Sequence, residues 1–177
     1  MSREHPEETI EELKPGDAGV RQTVGKMIEF GLEDSTDEFV IRAAKKLKGK
    51  TDIETVKNVF DFVWKTFPYE KDPEGKEYVT APILLLKMQY EYCDCDDMTT
   101  LLIALLAALK YEVAVKVISW DRARCEGAWC PFTHVYLMCY LPDENGWIAL
   151  DPVQKASGFG IERPPQPIIR HQYYKVN

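Results

Sequence analysis

The stretch that decides the fold is Tyr92-Cys93-Asp94-Cys95-Asp96-Asp97, which runs directly into the apolar segment 98–109. That segment is apolar on every side, which is typical of a central helix wrapped by other layers. Asp94 can cap this helix, so that the free amides and positive dipole end of the helix lie beside the Cys95 sulfur. Cys95 is therefore a candidate nucleophile.

The charges around Cys95 act in opposite directions. The helix end favours the thiolate, whereas the flanking carboxylates of Asp94, Asp96 and Asp97 favour the thiol. The sequence leaves the net direction open. The alternative is that Cys95 is one more small buried residue, as free cysteines often are.

The hydrophobic pattern divides the chain into helices followed by strands. Three amphipathic helices are predicted before the central one, at about 20–28, 39–47 and 53–67, with Thr51 or Asp52 capping the third. After Lys110 the period changes to two, which predicts strands at 113–120, 132–141 and 147–150, with a tight turn at 142–146. This order is typical of an α+β fold, with N-terminal helices and a central helix packed on a small antiparallel sheet.

The chain of 177 residues is predicted to form one domain. We assign residues 1–17 to an acidic flexible arm, residues 18–155 to the domain and residues 156–177 to an extended tail. The arm is rich in carboxylates and ends at Pro15-Gly16, and the tail carries several glycines and prolines.

Composition excludes several classes of protein. The net charge of −7 leaves no broad basic face for nucleic acid. No apolar run is long enough to insert in a membrane, and the first residues lack the apolar core of a signal peptide. Five cysteines are an odd number without small-scaffold spacing, which favours a reducing compartment. We expect a cytoplasmic protein, with association with a virion as an alternative.

His134 and Asp151 complete a candidate site with Cys95. His134 lies at the start of the second strand, and Asp151 follows the third, so the turn at 142–146 brings them near each other. The carboxylate can then hold the imidazole in one tautomer, and the imidazole can serve the thiol as a base. This arrangement indicates thiol acyl-transfer chemistry, although a lone strand histidine is more often structural.

Several motifs occur in an order that resembles the transglutaminase-like superfamily, in particular its bacterial and phage-borne cysteine peptidases. They are Tyr-x-x-Asp-Pro (69–73), Ala-Pro (81–82), Cys-Asp-Asp with Leu-Leu downstream (95–97 and 101–102), Thr-His-Val-Tyr (133–136) and Trp-Ile-x-Leu-Asp-Pro (147–152). The resemblance implies a papain-like, transglutaminase-core fold. It also implies that Cys95 is the nucleophile, His134 the general base and acid, and Asp151 the orienting partner.

One departure from the family pattern concerns Cys93, where many relatives have glycine. Glycine would allow a backbone conformation that a side chain resists. The substitution puts the loop geometry in question and leaves open a disulfide between Cys93 and another thiol.

An oxyanion hole needs the Cys95 amide and a second donor. Tyr69 is the first candidate, because the Tyr-x-x-Asp segment is expected beside the cleft, and Gln89 is the second. Either residue can instead pack locally.

The sequence offers ligands for two candidate metal sites, and neither site is favoured. Cys93, Cys95, Cys125 and Cys130 could hold zinc, but their gaps differ from those of zinc ribbons. Asp94, Asp96 and Asp97 offer oxygen ligands suited to calcium, yet adjacent acids at a helix start are usually caps. We predict no required cofactor, with calcium as an alternative.

The sequence thus predicts a cysteine protease or amidase that acts on a protein or peptide through an acyl-enzyme. Two alternatives stay open. The first is a non-catalytic structural or binding module that keeps the fold, such as a phage-associated assembly protein. The second is a cross-linking transglutaminase. The sequence does not determine the oligomeric state.

Overall fold

A computed structural model describes residues 13–73, 77–89, 93–144, 146–153, 158–162 and 167–177. Residues 1–12 of the predicted arm, the centre of the turn at Asn145 and parts of the predicted tail lie outside these ranges. The helices are α1 (Asp17–Asp34), α2 (Glu38–Lys46), α3 (Asp52–Thr66), α4 (Pro82–Leu86) and α5 (Cys95–Ala108), and the strands are β1 (Val113–Ser119), β2 (His134–Leu141), β3 (Gly146–Leu150) and β4 (Arg170–Lys175).

Helix α5 is the centre of the core, as its apolar sequence predicts. Residues 96–107 are all buried, and α1, α2, α3 and the sheet surround them. Helix α1 approaches α5 closely at Gly31, where a β-carbon would collide with Ile103. Thr51 caps α3 through the N–H of Glu54. Pro82 begins the short α4, where its missing N–H costs nothing.

The four strands form one antiparallel sheet in the order β3-β2-β1-β4. In β1 and β2 the register pairs Ile118 with His134, and in β2 and β3 it pairs Leu137 with Leu150. One face packs on α5. The other carries a smaller cluster that includes Tyr136 and Met138. These elements confirm the predicted α+β class.

The C-terminal part of the chain differs from the extended tail that the sequence predicts. Residues 170–175 form β4, which pairs with β1 along its length, and Val176 lies in the core. Arg170 also makes a two-pronged ion pair with Asp17 at the start of α1. Asp17, assigned from sequence to the arm, is therefore the first residue of a packed helix.

Two of the five cysteines form a disulfide, Cys125–Cys130, in the loop between β1 and β2. This bond removes both residues from the four-thiolate zinc site considered above. Cys93, Cys95 and Cys139 are free thiols, and Cys93 and Cys139 are buried. None of the helices in the described ranges combines the length and apolar character needed to cross a bilayer.

Candidate active site

The first turn of α5 is held by a reciprocal pair of carboxylates. The Asp94 side chain accepts the Asp96 N–H at 3.1 Å, while Asp97 accepts the Asp94 N–H at 3.4 Å. Such a capping box satisfies donors that a helix end would otherwise leave free. It fixes Cys95 as the first residue of the helix, with its sulfur outside the ladder of helical hydrogen bonds.

Cys93 does not need the backbone freedom of glycine. It has no positive φ, and it forms an isolated parallel bridge with Tyr69. Cys93 is also a free thiol, so the disulfide left open for it is not present.

The hairpin brings His134 and Asp151 into contact. His134 Nε2 lies 2.7 Å from Asp151 Oδ2, and both side chains are almost fully buried. With Nε2 engaged by the carboxylate, Nδ1 is the ring nitrogen left to accept a proton. The rings of Trp120 and Tyr136 flank His134, at centroid distances of 5.2 and 5.8 Å. These contacts fix the orientation of the imidazole.

Cys95 and His134 line one cavity of about 390 Å³. This volume lies in the range of small-molecule and peptide-binding pockets. One wall is α1, through residues such as Val20 and Thr23, and the opposite wall is the start of β2. Cys95 is partly exposed and is one of the residues that line this cavity.

The surroundings of Cys95 favour the thiol over the thiolate. Burial and then the negative charge of Asp94 raise the pKa of Cys95 well above its ordinary value, while a hydrogen bond from the Val135 amide acts in the opposite direction. The sequence leaves open whether the pKa of Cys95 is raised or lowered, and its surroundings in the structure raise it. A thiol in this state needs a base to take its proton before it can attack.

Further carboxyl groups surround the same helix end. Burial and the charge of Asp94 raise the pKa of Glu77 and Asp96, and raise that of Asp97 to about 7. Asp97 accepts the Thr80 N–H at 2.7 Å. Glu77, which lies 18 positions before Cys95, also lines the cavity. The sequence patterns do not predict this residue.

The two oxyanion candidates occupy different positions. Tyr69 lines the cavity with Cys95, and burial together with the charges of Cys95 and Asp94 raises its pKa to about 12. Its hydroxyl therefore keeps a proton to donate near neutral pH. Gln89 is exposed after α4 and is not among the residues that line the cavity.

Three of the tryptophans have separate surroundings. Trp120 contacts the His134 ring, whereas Trp147 stacks on Tyr140 at the outer edge of the sheet. Trp129 is partly exposed in the loop closed by the disulfide, within 3.7 Å of the position a β-carbon would occupy at Gly16. Only Trp120 touches a predicted site residue among the described contacts.

Comparison with known proteins gives the family and the fold. The transglutaminase-like superfamily matches residues 41–152. A crystal structure of a protein from Cytophaga hutchinsonii, proposed to be a cysteine protease, is similar with a TM-score of 0.51 and 17% sequence identity. The similarity covers 75% of this chain and 41% of that protein. No curated protein matches the chain significantly.

The structural likeness is a likeness of fold, and it agrees with the helices and small antiparallel sheet described above. The superfamily match spans Cys95 and His134 and ends one residue after Asp151. The superfamily match supports a thiol-dependent enzyme at the level of the superfamily. The chain belongs to the transglutaminase-like superfamily.

Proposed function

We propose that this protein is a cysteine amidase or peptidase in which Cys95, His134 and Asp151 form the catalytic triad. The observation that carries the proposal is the 2.7 Å contact between His134 Nε2 and Asp151 Oδ2, beside a cavity that His134 and Cys95 both line. A buried carboxylate bonded to one ring nitrogen of the histidine leaves the other nitrogen to act as a base. This is the arrangement in which a histidine and a carboxylate serve a thiol or hydroxyl nucleophile.

The raised pKa of Cys95 determines the first step. The resting thiol keeps its proton, so His134 Nδ1 takes it as the sulfur attacks the carbonyl carbon of the substrate. Asp151 stabilises the imidazolium that forms. The substrate oxygen gains negative charge, and the Cys95 amide and the Tyr69 hydroxyl are the proposed donors to it.

The second half of the reaction returns the proton. The imidazolium gives it to the leaving amine as the carbon–nitrogen bond breaks, which leaves the acyl group on Cys95. Water then attacks the acyl-enzyme while His134 accepts its proton, and the thiol is restored. Neither half requires a cofactor. We propose hydrolysis rather than transfer to an amine.

The proposed partner is a protein or peptide substrate. Loop 121–131 lies beside the cavity through Arg124 and is constrained by the Cys125–Cys130 disulfide, so it is the described segment best placed to select substrates.

Acetyl transfer from p-nitrophenyl acetate tests the proposal without knowledge of the natural substrate. The expected result is a single acetyl group on Cys95, detected by intact mass and peptide mapping, with release of p-nitrophenol. His134→Ala should slow this acetylation at least about 100-fold, since general base catalysis contributes on that scale.

Cys139→Ala is the matched control, because Cys139 is a free but fully buried thiol on the same strand as His134. It should be acetylated like the wild-type protein, while Cys95→Ala should not react. Equal rates for wild type and His134→Ala would show that the histidine does not serve the thiol, and the proposed function would be lost. A screen of peptide p-nitroanilides then identifies the amide substrate.

A further inference from the structure

The inner wall of the cavity carries three carboxyl groups next to the candidate nucleophile. Glu77, Asp94 and Asp96 line the cavity together with Cys95. The carboxyl groups of Glu77 and Asp96 interact with each other, and the Thr23 hydroxyl also contacts Glu77. None of these three carboxylates forms an ion pair within the described ranges.

Asp96 provides an independent observation. Its side chain is 97% buried, since only 3% of the residue is exposed, and its Oδ2 has no hydrogen-bond donor among the described groups. Oδ1 accepts the Asp97 N–H at 2.8 Å, so one oxygen is satisfied and the other is not. Two facing carboxyl groups at this depth require a shared proton or a cation.

The cationic side chains of the cavity lie at its rim. Lys14, Lys71 and Arg124 line it and are exposed to solvent. Lys71 interacts with Glu77, and Arg124 is near Asp121. Solvent and salt screen these exposed charges, whereas the buried carboxylates are screened much less.

We propose that Glu77 and Asp96 form a subsite for an ammonium group of the substrate, next to Cys95. An ammonium has three donors, and Glu77, Asp96 Oδ2 and the Thr23 hydroxyl offer acceptors of the required kind. The inference rests on the proposed amidase function and names its substrate class: amides that carry a free amino group near the bond that is cleaved.

An ammonium fits these residues better than a metal ion. The carboxylates of Asp94, Asp96 and Asp97 lie close enough to share a cation. However, both oxygens of Asp97 accept backbone N–H groups, and Asp94 accepts another. Calcium takes six to eight oxygen ligands, which this set cannot supply.

The ammonium would also act on the nucleophile. The carboxylates near Cys95 favour its neutral form, and a positive charge between them offsets that effect. Binding of the correct substrate would therefore ease removal of the thiol proton by His134, whereas a neutral analogue would leave the thiol less reactive.

Charge-selective labelling of Cys95 tests the subsite without any enzymatic turnover. Aminoethyl methanethiosulfonate is cationic and sulfonatoethyl methanethiosulfonate is anionic, and each converts a thiol to a mixed disulfide. The ratio of the two labelling rates at Cys95 is divided by the ratio of the rates at which the same reagents modify 2-mercaptoethanol. The Cys95→Ala variant gives the background labelling of the rest of the protein. We expect a normalised preference for the cation of at least about tenfold.

Glu77→Gln and Glu33→Gln form a matched pair. Both remove one negative charge, but Glu33 is exposed on α1 and does not line the cavity. Glu77→Gln should lower the preference at least about threefold, as loss of one neighbouring charge implies, while Glu33→Gln should leave it unchanged. Equal effects of the two variants, or no preference in the wild type, would overturn the subsite. Loss of the preference on adding calcium chloride, but not an equal ionic strength of sodium chloride, would overturn it in favour of a metal site.

Substrate pairs separate this inference from the proposed function. A peptide amide with a free amino group should be cleaved with a lower KM than its N-acetylated counterpart, and Glu77→Gln should reduce that difference. Cleavage of both peptides with equal constants would overturn the subsite and leave the amidase intact. A preference of Cys95 for the cationic label, without acetylation by p-nitrophenyl acetate and without cleavage of either peptide, would overturn the amidase and leave the subsite.

Discussion

Asp97 accepts the Thr80 N–H at 2.7 Å and thereby ties the segment before α4 to the first turn of α5. Its second oxygen accepts the Asp94 N–H, and the residue is almost fully buried. One carboxylate therefore satisfies two buried donors and positions the residue before Cys95.

Asp97→Ala should destabilise the protein by roughly 2–4 kcal/mol, because it leaves two buried N–H groups without acceptors. Urea unfolding followed by circular dichroism measures the change. Asp37→Ala is the control: Asp37 caps the more exposed α2 through the Phe39 N–H, and its loss should cost only about 1 kcal/mol. Equal losses for the two variants would contradict the special role of Asp97.

The stability of the protein should fall as the pH rises from about 4 to about 7. Burial and the charge of Asp94 raise the pKa of Asp97 from 3.8 to about 7, and they also raise that of Asp96. Below about 4 these carboxyls are protonated in both the folded and the unfolded protein. Between the two values the unfolded protein gives up the proton while the folded protein keeps it, so stability falls until the folded carboxyl also ionises near pH 7.

Asp96→Asn should flatten this dependence and raise the free energy of unfolding near pH 7.5. Asp61→Asn is the comparison, since two lysines outweigh burial and lower the pKa of Asp61. Its contribution is lost only below about pH 4, so this variant should keep the wild-type slope between pH 4.5 and 7.5. Urea titrations at several pH values measure both slopes. A steeper slope in Asp96→Asn would contradict the assignment.

Asp151→Asn tests the orienting contact with His134. The amide can present an N–H where the carboxylate accepted one, which favours the wrong tautomer of the imidazole. Acetylation of Cys95 by p-nitrophenyl acetate should slow by about 10²–10⁴-fold, while thermal unfolding confirms that the variant folds. Asp143→Asn, in the turn before β3, is the surface control and should react like the wild-type protein.

Reduction of the Cys125–Cys130 disulfide should lower the free energy of unfolding by at most about 2 kcal/mol, because the bond closes a loop with a sequence separation of only 5. Unfolding in the presence and absence of dithiothreitol measures the loss, and Cys125→Ser/Cys130→Ser should show no further response to the reductant. A much larger loss would mean that this bond stabilises more of the fold than its own loop.

Much of the fold follows from local patterns. The uniformly apolar stretch after Cys95 can only be a buried helix, and Asp94 has the chemistry of its cap. Alternation in β1 and β2 and the turn before β3 are equally local, and together they predict the contact of His134 with Asp151. These inferences succeed because residues adjacent in the chain determine each element, although both faces of β1 and nearly all of β2 are buried.

Other features depend on contacts that no local pattern contains. The residues of β4 show no apolar alternation, because that strand lies at the sheet edge and is only partly buried. Glu77 follows a turn-like segment, and only tertiary packing brings it beside Asp96. Likewise, an odd number of cysteines does not indicate which two of them form a disulfide.

The order of strands has a consequence for the folding route. Helix α5 and strands β1 to β3 are consecutive in the chain, so Cys95, His134 and Asp151 can meet within the single segment 95–151. By contrast, β4 must return across more than 50 residues to pair with β1, and Arg170 must reach Asp17 at a separation of 153. High-separation contacts carry the largest closure entropy and tend to form late. A nascent chain can therefore assemble its nucleophile and base before its last strand docks.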